Sequence, residues 1–277
     1  MSGAAILLAT IGAALVGLML QMECIMSNQN FLPHNNTSQS QQEARQQLHK
    51  LFDMRPFDDA TLLTNFGLFA RSSALAKIFF LHEIYNEILT VPGDIYVLGT
   101  WLGQDLVVFE SMRAMLEPYN ASRAFVGFDT FDGYEGITDL DKRSETVKGD
   151  GYAVPDNYKD YLAQLLAYHR SENAMGHAVE HNLVQGDACN TVATYMDEHP
   201  EAFVALAYFD MALYEPTKAA LEAMEERLLS GSLLVFDELN DARYPGESKA
   251  VREWLKGKRY TIRRSRFLPD RSLVTLS

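Results

Sequence analysis

Cysteine is scarce in this chain, which has only Cys24 and Cys189 among its 277 residues. The two cysteines lie far apart and have no metal-ligand spacing, so a disulfide framework and a cysteine-rich zinc site are both excluded. Two isolated thiols are compatible with a reducing compartment. Hydrophobic residues make up 47% of the chain, which is ample for a core without cross-links.

Basic residues are also in short supply, with 24 Lys and Arg against 37 Asp and Glu and a net charge of −13. A surface with this balance repels phosphates, which excludes a general nucleic-acid-binding protein. The charged fraction of 22% is ordinary for a soluble protein. The length fits one large domain with extensions, or two small domains.

The first 22 residues carry no charged side chain, and residues 3–20 are almost all small or aliphatic. A segment of this length could just span a bilayer, but it lacks the basic start and the cleavage site of a secretory signal. Three interpretations of residues 1–26 compete: a membrane anchor through residues 2–20, an uncleaved signal, or an extension upstream of a start at Met19, Met22 or Met26. The anchor is favoured over the extension, and a cleaved signal ranks last.

The remaining chain divides by pattern into a polar linker at 27–42, a helical extension at 43–90 and an alternating region at 91–277. In the alternating region, five apolar strand patterns are each followed by a helical pattern. The predicted strands are 94–99, 124–128, 179–185, 204–209 and 233–236, with two more at 260–265 and 273–276. This order predicts a doubly wound, mostly parallel α/β sheet with an antiparallel end.

Acidic residues directly follow two of these predicted strands, Asp210 after the fourth and Asp237 with Glu238 after the fifth. Right-handed connections bring the carboxyl ends of parallel strands to one edge of the sheet, so the three carboxylates should converge if the strands are neighbours. Converging carboxylates call for a cation or a shared proton, and all-oxygen ligation suits Mg²⁺. The plainer alternative is that Asp210 only caps the helix that begins near Pro216.

Residues that could contact a nucleotide-like cofactor follow the first three predicted strands. Gly99, Thr100 and Gly103 lie in the first loop, whose G-x-x-x-G spacing allows close backbone approach but is not the G-x-G-x-x-G fingerprint. Asp129 follows the second strand and Asp187 the third, where acids can accept hydrogen bonds from a ribose or an adenine. A tight turn at the glycines and turn-forming roles for both acids are the alternatives, and Asp105 reads as a helix N-cap.

A general base near neutral pH would most naturally be a histidine. His169, His177 and His181 lie in the middle of the chain, and we nominate His169 and His177 as candidates beside Asp210.

Taken together, six segments resemble the macrocin O-methyltransferase (TylF-like) family of class I S-adenosylmethionine-dependent methyltransferases. They are PGDIYVLGTWLGQD (92–105), VGFDTFDGYEG (126–136), LVQGDACNT (183–191), FDMALYEPTKAALE (209–222), GSLLVFDEL (231–239) and PGESKAV (245–251). The resemblance runs from about Phe66 to the C-terminus.

The resemblance implies a seven-stranded Rossmann-like sheet with S-adenosylmethionine over the first three strands. Gly99 and Gly103 match the cofactor loop, Asp129 the acid near the ribose and Asp187 the acid near the adenine. Asp210, Asp237 and Glu238 match the Mg²⁺-binding acids, and Tyr214 lies in the segment beside the acceptor. Two positions depart from the family pattern: Val97 stands where the first strand carries an acid, and Ala212 replaces the second acid of D-x-D.

The function expected from this resemblance is Mg²⁺-assisted methylation of a hydroxyl on a sugar-containing small molecule or glycan. We expect no nucleic-acid partner. The catalytic domain should be cytoplasmic, and if residues 2–20 form a membrane anchor, it is tethered at its N-terminus. Homo-oligomerisation is left open. The departures at Val97 and Ala212 support an alternative, a membrane-tethered binding module with a degenerate methyltransferase fold. A third alternative keeps the metal-binding acids for a different metal-assisted transfer.

Overall fold

The computed structural model describes residues 38–144, Val147 and residues 152–277. These residues form one seven-stranded sheet flanked by helices, as the sequence predicts. The strands are β1 (Asp94–Leu98), β2 (Phe125–Asp129), β3 (His181–Gln185), β4 (Val204–Phe209), β5 (Leu228–Phe236), β6 (Tyr260–Arg264) and β7 (Ser272–Leu276). The main helices are α1 (Gln39–Asp53), α2 (Asp59–Thr64), α3 (Ser72–Glu87), α4 (Gln104–Leu116), α5 (Tyr158–Glu172), α6 (Ala188–Glu198), α7 (Tyr214–Met224) and α8 (Pro245–Trp254).

The strand order is β3-β2-β1-β4-β5-β7-β6. The first five strands of that order are parallel, and β7 runs antiparallel to both β5 and β6. The chain starts in the middle at β1 and winds outward in both directions, so the order reverses between β1 and β4. Ligands of open α/β sheets bind beyond the carboxyl ends of the strands at such a switch point.

The sheet carries a hydrophobic core on each face. Alternation along β1 sends Ile95 and Val97 into the layer beneath α3, α4 and α5. Tyr96 and Leu98 face the layer beneath α6, α7 and α8. Because both faces are covered, the central strands are nearly continuous apolar runs, and all six residues of β4 are buried.

The N-terminal boundary differs from the sequence prediction. Helix α1 begins at Gln39, four residues before the predicted start at Glu43, because Ser38 and Gln41 form a reciprocal capping box. The predicted linker therefore contributes residues 39–42 to this helix, while residues 27–37 lie outside the described part of the chain. Neither α1 nor α2 buries any of its residues.

The predicted anchor in residues 1–26 also lies outside the described residues and stays a prediction, as does homo-oligomerisation. Within the part that the structure describes, none of the helices combines the length and the apolar character needed to cross a bilayer.

Candidate active site

The loop after β1 passes very close to the end of β4. The backbone N–H of Asp210 donates to the Leu98 carbonyl at 2.8 Å. Gly99 has φ +89°, and a Cβ atom placed on it would lie 2.1 Å from the carbonyl oxygen of Asp210. Only glycine fits here without a shift of the backbone. The glycine identified from the sequence as part of a cofactor loop is thus also required for packing against the strand that carries Asp210.

The rest of this loop is held from within the protein. Gly103 has φ +75° and is the N-cap residue of α4. The Thr100 side chain is buried, and its hydroxyl lies 3.4 Å from the carbonyl oxygens of Val97 and Phe128. Thr100 therefore serves the ends of the strands rather than presenting its hydroxyl to a ligand.

Asp129 joins the loops after β1 and β2. Its carboxylate accepts hydrogen bonds from the backbone N–H groups of Trp101 at 2.6 Å and Phe131 at 2.7 Å. Burial raises the pKa of this carboxyl above its usual value. A carboxylate has about four acceptor positions, so a ribose hydroxyl can still bind here. Asp187 caps α6 through the N–H of Cys189 at 2.9 Å, as the turn-forming alternative predicted.

Asp210 and Asp237 meet at one tyrosine. Strands β4 and β5 are neighbours with Phe209 opposite Phe236, which places the two following acids side by side. The Tyr208 hydroxyl donates to Asp237 at 2.8 Å and lies 3.4 Å from Asp210. The convergence predicted from the sequence is therefore present for these two acids.

Two cationic side chains also reach this acidic cluster. Arg271, which precedes β7, forms an ion pair with Asp237. Lys77 from α3 donates to the Tyr208 hydroxyl at 2.9 Å and pairs with Asp105 at 3.0 Å. Asp105 is consequently a buried ion-pair partner and not the N-cap that its position suggested, since Gly103 holds the cap position.

Acidic side chains outnumber the two basic ones in this cluster. Burial raises the pKa of Asp237 well above its usual range, and the charge of Asp210 adds to the rise although Arg271 and Lys77 oppose it. Burial followed by the Asp210 charge raises the pKa of Glu238 to about 7. Glu247 of α8 is fully buried next to Glu238, and its carboxylate accepts a hydrogen bond from the backbone N–H of Glu238 at 2.8 Å. Excess charge of this kind favours the binding of a cation or a proton.

The residues fit a divalent cation only in part. Within the described chain, no group of three or more His, Cys, Asp or Glu side chains is positioned to hold a metal ion. Asp237 is in addition already paired with Arg271 and bonded to Tyr208. The carboxylates have the right chemistry for Mg²⁺, but they do not form a preassembled cage.

The nominated histidines lie away from the acids. His169 is in the last turn of α5, and His177 is exposed in the connection that leads into β3. Both are therefore at the amino edge of the sheet, opposite the carboxyl edge that carries Asp210. His181 begins β3 and lies 3.1 Å from the buried Glu110. Neither His169 nor His177 is placed to act with Asp210.

Tyr214 stands at the start of α7, close in sequence to the acids, but its hydroxyl donates to Glu253 of α8 at 2.7 Å.

Sequence reasoning missed Lys77, Tyr208 and Arg271, which come from α3, β4 and the residue before β7. No local motif marks them, because only the assembled sheet brings these elements together.

Comparison with solved structures identifies the family. CalS11, a calicheamicin methyltransferase, matches with 36% sequence identity and a TM-score of 0.81, covering 87% of this chain and 94% of its own. The apo structure of CalS11, described as a TDP-rhamnose 3'-O-methyltransferase, matches with 34% identity and a TM-score of 0.76 over 87% and 96% of the two chains. The chain belongs to the TylF-like family of class I methyltransferases.

The chain is therefore a methyltransferase, which confirms the prediction made from the sequence resemblance. The O-methyltransferase NovP, at 15% identity and a TM-score of 0.54 over 73% of this chain and 79% of its own, shares the fold. No protein-family model matches the chain, and a search of curated proteins found no match.

Val97 and Ala212, the two departures from the TylF-like pattern, are both buried among apolar side chains. Val97 is 1% exposed and packs in the core beneath α3 and α4. Ala212 has φ +61°, a left-handed conformation that is unusual for alanine. It is buried in a small apolar cluster with Val147, Leu213 and Tyr244. Where the family pattern has a second acid, this chain therefore has an apolar surface next to Asp210.

Proposed function

We propose that this enzyme transfers the methyl group of S-adenosylmethionine to a hydroxyl of a sugar-containing small molecule. Membership of the TylF-like family supports the proposal, as does the description of CalS11 as acting on TDP-rhamnose. Gly99, Gly103, Asp129 and Asp187 follow the first three strands and would hold the cofactor there.

One observation carries the proposal, the contact between the cofactor loop and the acid-bearing strand at Gly99 and Asp210. Methyl transfer from a sulfonium is an in-line displacement whose main requirement is alignment of the acceptor with the methyl group. A loop and an acid that touch through their backbones are fixed relative to each other before either ligand arrives. This arrangement suits a reaction whose two substrates must meet at a defined distance.

Asp210 is the residue proposed to accept the proton of the sugar hydroxyl. It stands at the switch point between β1 and β4, and Tyr208 links it to Asp237. The ion pair with Arg271 and the hydrogen bond from Tyr208 hold Asp237 in place. Removing a positioned general base lowers kcat by typically about 10²–10⁴-fold.

A divalent cation is the second part of the proposal. Asp210, Asp237 and Glu238 would hold it, and it would lower the pKa of the acceptor hydroxyl. Burial, and then the charge of Asp210, raise the pKa values of Asp237 and Glu238, and a bound cation would relieve both effects, which supports this part. The pairing of Asp237 with Arg271 argues for weak rather than tight metal binding, because one ligand is already engaged.

Calorimetry with S-adenosylhomocysteine, followed by Mg²⁺, tests both parts separately. We expect S-adenosylhomocysteine to bind and Asp210→Asn to leave its affinity within about twofold, with methyl transfer strongly reduced. Asp197→Asn, at an exposed position on α6, is the matched control and should change neither quantity. Absence of S-adenosylhomocysteine binding would refute the first part, and methyl transfer that is unchanged by EDTA would refute the second.

The alternative of a binding module without turnover is favoured by one observation, the apolar Val97 in place of the family's acid. It predicts that Val97→Glu improves cofactor affinity. A working enzyme that has compensated for the missing acid predicts little gain or a loss of activity. The setting of Val97 favours that second outcome, because the new carboxylate would enter a core position that is 1% exposed.

A further inference from the structure

Three aromatic side chains form a continuous row from the cofactor loop towards the acids. Trp101, in the loop after β1, contacts Tyr152 edge-to-face with ring centroids 5.6 Å apart. Tyr152 in turn contacts Tyr134 in the same way at 5.7 Å. Tyr134 and Tyr152 both belong to the long connection between β2 and α5. We call these three residues the aromatic wall.

The far end of the aromatic wall lies beside the acids. Burial raises the pKa values of Tyr134 and Tyr152, and the charge of Asp210 adds to both shifts. Tyr134 also packs against the apolar cluster that contains Ala212, Leu213 and Tyr244. The wall and this cluster therefore place apolar and aromatic surface on one side of the acidic cluster, where the family pattern at Ala212 would place another charge.

Two features indicate that a ligand completes the aromatic wall. All three residues are only partly buried, so part of each remains accessible. The indole N–H of Trp101 is buried, and no described residue accepts a hydrogen bond from it. A buried donor without an acceptor is destabilising, and a ligand oxygen would remove that penalty.

The backbone supports the same conclusion. Trp101 has φ +46° and Tyr152 has φ +90°. Bulky residues rarely adopt the left-handed region, and such strain concentrates at binding and catalytic sites. The chain keeps large aromatic side chains at two positions where glycine or asparagine would be less strained.

We propose that Trp101, Tyr134 and Tyr152 form an acceptor-binding wall. The apolar C–H face of a pyranose ring stacks on one of these mutually perpendicular rings and contacts the edge of the next, while its hydroxyl groups meet Asp210. The inference rests on the proposed function and specifies how the sugar is recognised. The face of an aromatic ring carries negative charge density and attracts the polarised C–H groups of a sugar. An amphipathic sugar matches a site with an aromatic side and an acidic side, as binding sites generally combine apolar surface with a few polar groups.

Tryptophan fluorescence can read this wall directly, because the chain has only two tryptophans. Trp254 lies on α8 with its indole N–H bonded to Glu225 at 3.0 Å, so Trp254→Phe leaves Trp101 as the single reporter. We expect methyl α-L-rhamnopyranoside and TDP-rhamnose to change Trp101 emission in protein saturated with S-adenosylhomocysteine. The titration is repeated without S-adenosylhomocysteine, so that the wall is tested even if cofactor binding fails.

Substitution of Tyr152 separates stacking from other roles. Tyr152→Leu should raise the Kd and the KM for the sugar by about tenfold and leave the Kd for S-adenosylhomocysteine unchanged. Tyr152→Phe keeps the ring and should stay close to the wild type. Tyr168→Leu, at a position that is 52% exposed on α5, is the matched control.

Several results would overturn the inference. The first is no change of Trp101 emission on addition of either sugar. The second is a rise in the Kd for S-adenosylhomocysteine in Tyr152→Leu as large as the rise in the Kd for the sugar, which would assign the wall to the cofactor. The third is an equal rise in the Kd for the sugar in Tyr152→Phe and Tyr152→Leu. A wild type that methylates a sugar while Tyr152→Leu keeps its KM refutes the wall alone. A wild type that binds no S-adenosylhomocysteine refutes the proposed function.

Discussion

Gly99→Ala should lower the free energy of unfolding, because the added methyl group would clash with the main chain of Asp210. The effect does not depend on a direct contact between Gly99 and a ligand. The added Cβ would lie 2.1 Å from the carbonyl oxygen and 2.7 Å from the carbonyl carbon of Asp210. Both are main-chain atoms, which cannot rotate out of the way as a side chain can. The backbone would have to separate at the point where the cofactor loop meets the acid-bearing strand.

The magnitude has two components. An alanine at φ +89° costs about 1–2 kcal/mol relative to glycine because of its left-handed conformation. Overpacking against a rigid neighbour costs about 1–3 kcal/mol more. The total of about 2–5 kcal/mol is a large part of the roughly 5–15 kcal/mol by which a domain is stable.

Gly257→Ala is the matched control, because Gly257 has φ +84° but no atom within 4 Å of the position that its Cβ would take. It should show the conformational component alone. Urea unfolding followed by circular dichroism gives both free energies, and calorimetry gives the affinity for S-adenosylhomocysteine. We expect Gly99→Ala to lose about 1–3 kcal/mol more than the control and to bind the ligand more weakly. Equal losses in the two variants would refute the contact.

Three further predictions concern buried charge. Arg271→Met should destabilise the fold by about 3–5 kcal/mol because it removes the ion-pair partner of the buried Asp237; in urea unfolding, the Arg271→Met/Asp237→Asn double variant should recover part of that loss. Burial raises the pKa of Asp94 from 3.8 to about 6, so the free energy of unfolding should fall as the pH rises between these values. Asp94→Asn should abolish that fall and add at most about 3 kcal/mol at pH 8, whereas parallel pH profiles would contradict the assignment. Val97→Glu should lower the thermal midpoint and not improve the affinity for S-adenosylhomocysteine, since the site is 1% exposed; tighter binding would support the alternative of a degenerate binding module.

The sheet could be predicted because local pattern and topology agree. The apolar runs that become β1, β2 and β4 are buried on both faces, and only a parallel central position explains runs without polar alternation. The right-handed connection rule then placed Asp210 and Asp237 at one edge, as the structure confirms.

Element ends were less predictable. Helix α1 starts inside a polar segment that reads as a linker, because a capping box rather than an apolar face marks its start. Strand β5 begins at Leu228 although the sequence pattern starts at Leu233. Ser230 and Gly231 interrupt the apolar run, and Gly231 has φ +94° within the strand.

The electrostatic partners in the site were not predictable from local sequence. Lys77 and Tyr208 are 131 positions apart and meet only after α3 packs across β4. Arg271 reaches Asp237 because β7 inserts beside β5 in the antiparallel end of the sheet. The nomination of a histidine as base rested on residue type alone. His177 lies between α5 and β3, so its place in the chain already assigns it to the amino edge of the sheet, opposite Asp210.

Methyl transfer at Asp210 is tested most directly with S-adenosylmethionine labelled in its methyl group and TDP-rhamnose as acceptor. Our account predicts that label enters the sugar with the wild type. Asp210→Asn should transfer label about 10²–10⁴-fold more slowly while binding S-adenosylhomocysteine with unchanged affinity. Transfer by Asp210→Asn at the wild-type rate would contradict the account, as would a wild type that binds S-adenosylhomocysteine and labels none of a panel of sugars that includes TDP-rhamnose.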